Sequence, residues 1–165
     1  MFVSLKKLSI LGGTGESVSP PPASTIGVGS MLRNTPQSFV DNVYTLVDFT
    51  TTDGDEKNFL NESNNRIEIT ESGYIKVEVY AKGQGGNANG QRVAAIRFNG
   101  SSDENSTRNT FLAIPPPAID NTFVRTATRW FNVVPGDYFE FYYKQNSGST
   151  LDVEAAWFAY QFKGV

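Results

Sequence analysis

Apolar and polar residues alternate with a period of two through much of this chain, as they do in strands whose successive side chains point to opposite faces. The clearest case is Tyr138–Gln145, where Phe139, Phe141 and Tyr143 form one row and Tyr138, Glu140, Tyr142 and Lys144 the other. Only the first row is apolar enough to be core throughout. The same reading turns Ile67 and Ile69 inward over residues 66–70, Ile75, Val77 and Val79 over 74–81, and Ala94, Ile96 and Phe98 over 92–99. Glu71-Ser72-Gly73 predicts that the first two of these make a hairpin. Further strands are predicted over residues 39–49, 110–114, 122–134 and 151–162. Residues 50–65, polar and rich in Asp, Asn and Gly, are expected to form a long surface connection, as are the glycine-rich 82–90 and the polar 100–108. Pro115-Pro116-Pro117 ends the strand before it, because none of the three residues has the N–H that a ladder requires. Eight strands with no sustained helical period predict an all-β, antiparallel, two-sheet jelly-roll sandwich.

Upstream the pattern changes. Residues 12–38 carry Gly12-Gly13, Pro20-Pro21-Pro22, Gly27, Gly29 and Pro36 with few large apolar groups, a composition that does not form a helix or sheet by itself. The chain is therefore divided into an extended N-terminal arm, 1–38, and a jelly-roll domain, 39–165. The first residues combine Phe2, Leu5, Leu8, Ile10 and Leu11 with Lys6 and Lys7, which suits the arm to anchoring on an acidic partner surface. Fully extended, 38 residues reach about 100 Å. Ser4 and the two lysines interrupt the apolar run, so it is expected to be neither a secretory signal nor a membrane span, and to remain in the mature chain.

The last predicted strand has two rows of different character. Leu151, Val153, Ala155, Trp157 and Ala159 make a suitable core row, whereas the other begins with Asp152 and Glu154 and turns into Ala156, Phe158, Tyr160 and Phe162. A solvent-facing row should stay polar, so the aromatic end is expected to be covered, either by a segment of the same chain or by another copy of it.

Turn motifs punctuate these strands in a definite order: Gly73-Tyr74, Asn99-Gly100, Gly136-Asp137-Tyr138, Asn146-Ser147-Gly148 and then the closing aromatic strand with Trp157. Over residues 39–165 this order resembles the tumour necrosis factor and complement globular-head superfamily of trimeric jelly rolls. The resemblance implies a homotrimer whose terminal strand lies near the threefold axis, with Phe158, Tyr160 and Phe162, joined by Tyr142, at the interface. The Pro/Gly arm departs from the membrane anchor or collagen stalk of those families. Similar modules occur in bacteriophage virions as capsid decorations, head fibres or tail-fibre tips.

Composition narrows the chemistry. Twelve Phe, seven Tyr and two Trp supply bulk for a core, and zero Cys removes disulfides, so stability must come from packing and assembly. A net charge of −3 without any concentrated Lys/Arg run gives no reason to expect nucleic-acid binding. With no His and no Cys, the common nucleophile systems and His-ligated metal sites are excluded. Asp53-Gly54-Asp55-Glu56 and Asp103-Glu104 read as solvated turns; the spacing of Asp53 and Asp55 leaves calcium as a minority alternative, without the EF-hand pattern. Gly83-Gln84-Gly85-Gly86 lacks the Lys-Ser/Thr and helix of a phosphate loop. The expectation is thus a non-enzymatic structural protein with no cofactor, no membrane and no nucleic acid. Its partners would be itself and a major capsid protein or other virion protein, on the outer surface of a capsid. The alternative is a fibre-tip module whose loops bind a host receptor or a host-surface glycan.

Overall fold

The computed structural model describes residues 26–84, 90–115 and 122–165. In chain order the described strands are β1 (Ile26–Arg33), β2 (Gln37–Phe39), β3 (Thr45–Leu46), β4 (Thr51–Asp55), β5 (Leu60–Asn61), β6 (Arg66–Glu68), β7 (Gly73–Gly83), β8 (Arg92–Phe98), β9 (Thr110–Ile114), β10 (Thr122–Ala127), β11 (Phe131–Val133), β12 (Tyr138–Gln145) and β13 (Leu151–Gly164). They form two antiparallel sheets. A seven-stranded sheet runs β10-β7-β13-β1-β4, with β11 also on β7 and β2 on β13. A six-stranded sheet runs β5-β6-β12-β8-β9, with β3 also on β12. The sandwich predicted from alternation is the observed fold.

The rows that alternation turns inward meet between the sheets. Ile67, Ile75, Val77, Val79, Ala94, Ile96, Phe139 and Phe141 are all fully buried. Two predicted connections come out differently. Residues 66–70 and 74–81 do not make a hairpin, because β6 pairs with β12 in one sheet while β7 pairs with β10, β11 and β13 in the other. The stretch 50–65 is not only surface connection. It contains β4, and it sends Phe59 into the core, where that ring lies 4.9 Å from Phe162 and 5.3 Å from Tyr160.

The division at residue 38 also moves. Ile26–Arg33 is paired along its whole length with β13, from Ile26 opposite Lys163 to Arg33 opposite Ala156, and on its other side with β4. This segment is an interior strand of the seven-stranded sheet, not part of an arm. Its glycines escape the alternation count because they contribute space: a Cβ on Gly29 would lie 2.6 Å from the Tyr160 ring, as in β7 one on Gly73 would lie 2.4 Å from Phe162. The proposed anchor residues Phe2, Leu5, Lys6, Lys7, Leu8, Ile10 and Leu11 lie outside the described residues.

The largest correction concerns β13. Its pairing with β7 shifts register between Val153 and Ala155, a β-bulge that reverses which side chains face inward. Val153 is core, but beyond the bulge Ala156, Phe158, Tyr160 and Phe162 are the inward residues, while Trp157 and Gln161 turn to the outer face. Phe158 stacks on Phe49 at 5.6 Å and 27°. Tyr160 donates its hydroxyl to Asp55 Oδ1 at 2.7 Å and accepts from the Lys57 backbone N–H at 3.2 Å. The aromatic row expected at a subunit interface is therefore the centre of the chain's own core.

Two of the motif turns are bonded to each other. Asn99 and Gly100 both have positive φ, 50° and 70°, and the Asn99 side chain donates to Asp137 Oδ1 at 2.9 Å and accepts from the Tyr138 N–H at 2.8 Å. Asp137 in turn accepts from the Val134 N–H at 3.0 Å. Buried Gln145 ties the next turn, donating to the carbonyls of Phe39 and Ser149 and accepting from the Ser147 N–H.

Two outcomes follow from this packing. Gly29→Ala should destabilise the fold by about 1–3 kcal/mol through overpacking against Tyr160, measurable as a lower denaturation midpoint. Burial pushes the Tyr143 hydroxyl from 10.0 up to about 12. An acid whose folded pKa is raised favours the folded state below its unfolded pKa, so this contribution should be lost as pH rises from about 10 through about 12. Ultraviolet titration should show a tyrosinate appearing only near the upper end of that window, together with falling stability.

Candidate functional site: the outer face of the seven-stranded sheet

The reversed parity of β13 gives the outer face of this sheet its character. One row across the sheet runs Leu32, Trp157, Tyr80, Arg125, and the next runs Ser30, Ala159, Glu78, Ala127. Tyr80 stacks on Phe123 at 5.9 Å and 30°. Ile26, Val28, Tyr74 and Phe123 on the same face are exposed large apolar side chains, with Ile26 65% and Phe123 56% accessible. Small residues at its middle, Ser30 and Ala159, leave a cavity of ≈ 290 Å³ bordered by Val28, Lys76, Glu78 and Trp157.

Two ion pairs lie on this face, along with Lys76 and Lys163. Arg125 pairs with Glu78, and Lys82 pairs with Glu154 at 2.6 Å. Such exposed pairs contribute little to the stability of a single subunit. The Arg125–Glu78 pair lies among the apolar side chains and the Lys82–Glu154 pair near Phe123, a mixed apolar and polar surface.

Of the four residues expected at an interface, none lies here. Phe158, Tyr160 and Phe162 are fully enclosed within the chain. Tyr142 projects from β12 on the opposite side of the sandwich, with the Arg97 guanidinium 4.1 Å from its ring centroid. Trp157, Phe123, Tyr80 and Val28 are the residues that sequence reasoning missed. Trp157 was assigned to the core because the bulge has no mark in the alternation pattern. Asp55 is committed to the fold: its carboxylate accepts from Tyr160 and from the Phe59 and Leu60 N–H groups. Among the described residues no group of three or more acidic side chains is placed to hold a metal ion.

No protein-family model matches the sequence, and no curated protein matches it. Solved structures do match. The globular domain of zebrafish complement 1qA is 12% identical with a TM-score of 0.53, the match covering 81% of this chain and 94% of that one. The vertex protein P5 of phage PRD1 is 16% identical with a TM-score of 0.52, covering 84% and 97%. Eiger TNF from S. frugiperda is 9% identical with a TM-score of 0.57, covering 86% and 93%. The fold is a TNF- and C1q-like jelly roll. At these identities the likeness is one of architecture, and the surface of this TNF-like chain is its own.

Trp157 and Phe158, adjacent in sequence, are thereby assigned opposite roles. Phe158→Ala should cost about 3–5 kcal/mol of folding stability, as removal of a buried Phe does. Trp157→Ser in the monomeric state should cost far less, and paired urea denaturation curves compare the two.

Proposed function

We propose that this protein is a structural component of a bacteriophage virion: a homotrimeric capsid decoration or head-fibre protein, assembled through the outer face of its seven-stranded sheet. The observation that carries the reading is that face itself. Ile26, Val28 and Tyr74 at one end of this face, Phe123 at the other, and Trp157 and Tyr80 between them are apolar side chains of the kind that an interface covers. Withdrawing one large aromatic side chain from water stabilises by roughly 1.5–3 kcal/mol, so a few such rings repeated in each subunit are enough to hold an assembly. The similarity to a phage vertex protein supports the virion setting.

Attachment to the particle is assigned to residues 1–25, whose apolar residues and Lys6-Lys7 pair supply anchors for an acidic shell protein. The boundary is drawn at Ile26 because β1 must stay for the sheet to form. No catalytic step is assigned to the chain.

Light scattering tests the assembly. The unmodified chain should have a trimer's mass at micromolar concentration, and Phe123→Glu combined with Trp157→Glu should give a folded monomer. A monomeric parent would refute the assembly. Removing residues 1–25 should leave the trimer intact while abolishing binding to undecorated capsids; undiminished capsid binding by the truncated chain would assign attachment to the jelly roll.

A further inference from the structure

The outer face of the six-stranded sheet differs in chemistry from the proposed interface. Across it, Tyr142 lies opposite Ala95 and Ala95 opposite Phe111; in the next row Lys144 lies opposite Val93 and Val93 opposite Ala113. Short side chains between long ones leave a depression. It becomes a cavity of ≈ 230 Å³ where Tyr44 and Glu104 close over it, with Gln91 and Asn146 also on its lining.

The rings of Tyr44 and Phe111 pack edge to face at 72° with centroids 6.2 Å apart, so they form one apolar corner beside Val93 and Ala113, with Phe111 as its wall and the Arg97 guanidinium 4.8 Å from the Tyr44 centroid. Polar groups surround them. Tyr44 donates its hydroxyl to Glu104 Oε1 at 3.1 Å, which holds that carboxylate at the pocket, and the Lys144 ammonium sits 5.0 Å from the Tyr44 centroid. Burial, and then the Glu104 carboxylate, push the Tyr44 hydroxyl up to about 12, so it remains a protonated donor at neutral pH. A carboxylate has more acceptor sites than the one Tyr44 occupies, and the amides of Gln91 and Asn146 are of the kind that bond hydroxyl groups.

We propose that this pocket binds one neutral hexopyranose unit of a glycan. A pyranose has an apolar C–H face to lay on an aromatic wall and a rim of hydroxyls for carboxylate, amide and ammonium groups. The volume falls just below the roughly 300 Å³ at which pockets for drug-sized ligands begin, which suits a single sugar ring. Glu104 and Lys144 oppose each other in charge on the lining, and the Arg97 guanidinium, 4.8 Å from the Tyr44 ring centroid, is not a lining group, so the choice of a neutral sugar rests on the Glu104–Lys144 pair. The site is on the side of the sandwich away from the proposed subunit interface. A trimer would therefore keep three copies exposed and gain avidity for a repeating glycan.

The inference does not rest on the virion assignment, because it is tested on the isolated intact chain. Saturation-transfer NMR with the methyl glycosides of glucose, galactose, mannose and N-acetylglucosamine should show transfer to the ring C–H protons of at least one. Glu104→Gln and Phe111→Leu should each weaken that ligand about tenfold, the loss expected when a charged hydrogen-bond partner or a stacking wall is removed. Val134→Ser, at an exposed position in the turn before β12, should leave binding unchanged. Glu104 is in a surface loop, so its variant decides the matter if Phe111→Leu lowers stability. Amide shifts on binding should centre on Val93, Ala113 and Asn146. Saturation of none of the four glycosides, or binding that survives Glu104→Gln unaltered with shifts elsewhere, overturns the proposal.

Discussion

One extra residue in the final strand, at the register shift between Val153 and Ala155, sets the orientation of everything after it. Side chains on a strand have only two directions, so a bulge acts on the whole remaining row at once. Here it turns Phe158, Tyr160 and Phe162 into the space between the sheets, where they meet Phe49, Phe59 and Phe141. The same shift puts Trp157 outside. The hydrophobic centre and the apolar outer face are two sides of one backbone irregularity.

Around that centre, small residues matter as much as large ones. Gly29 and Gly73 leave the volume that Tyr160 and Phe162 occupy, and Asp55 holds the Tyr160 hydroxyl from across the sheet. These contacts link β1, β4, β7 and β13. On the two outer faces the same device recurs with other results. Ser30 and Ala159 open a hollow between Trp157 and Val28 on one hand and Lys76 and Glu78 on the other, and Val93 and Ala113 open one among Tyr, Glu and Lys.

Residues whose side chains fill space were legible from alternation alone, as Phe139, Phe141, Ile75, Val77 and Val79 illustrate. The turn motifs were legible too, and their bonding of Asn99 to Asp137 and Tyr138 gives a physical reason for their order. What failed was whatever works through absence or through a shift. Ile-Gly-Val-Gly-Ser reads as linker because glycine adds nothing to an apolar count, although in β1 it is the missing Cβ that lets the strand lie against the core. β4, Thr-Thr-Asp-Gly-Asp, reads as loop because it sits at the sheet's edge with most of its side chains turned away from the core. The inward row of β13 is misread for a related reason: a bulge leaves no signature in residue type.

The pairing of β1 with β13 has a consequence for how the chain comes to be folded. The first described strand lies between the last one and β4, so the seven-stranded sheet lacks its middle until residue 164 has been made. During synthesis β1 must wait with one edge unpaired, and closure joins segments more than a hundred positions apart. Such distant pairing folds slowly and leaves strand edges exposed to other nascent chains. The β1–β13 seam therefore acts as a completion check: a chain truncated before its last strand has nothing to close on.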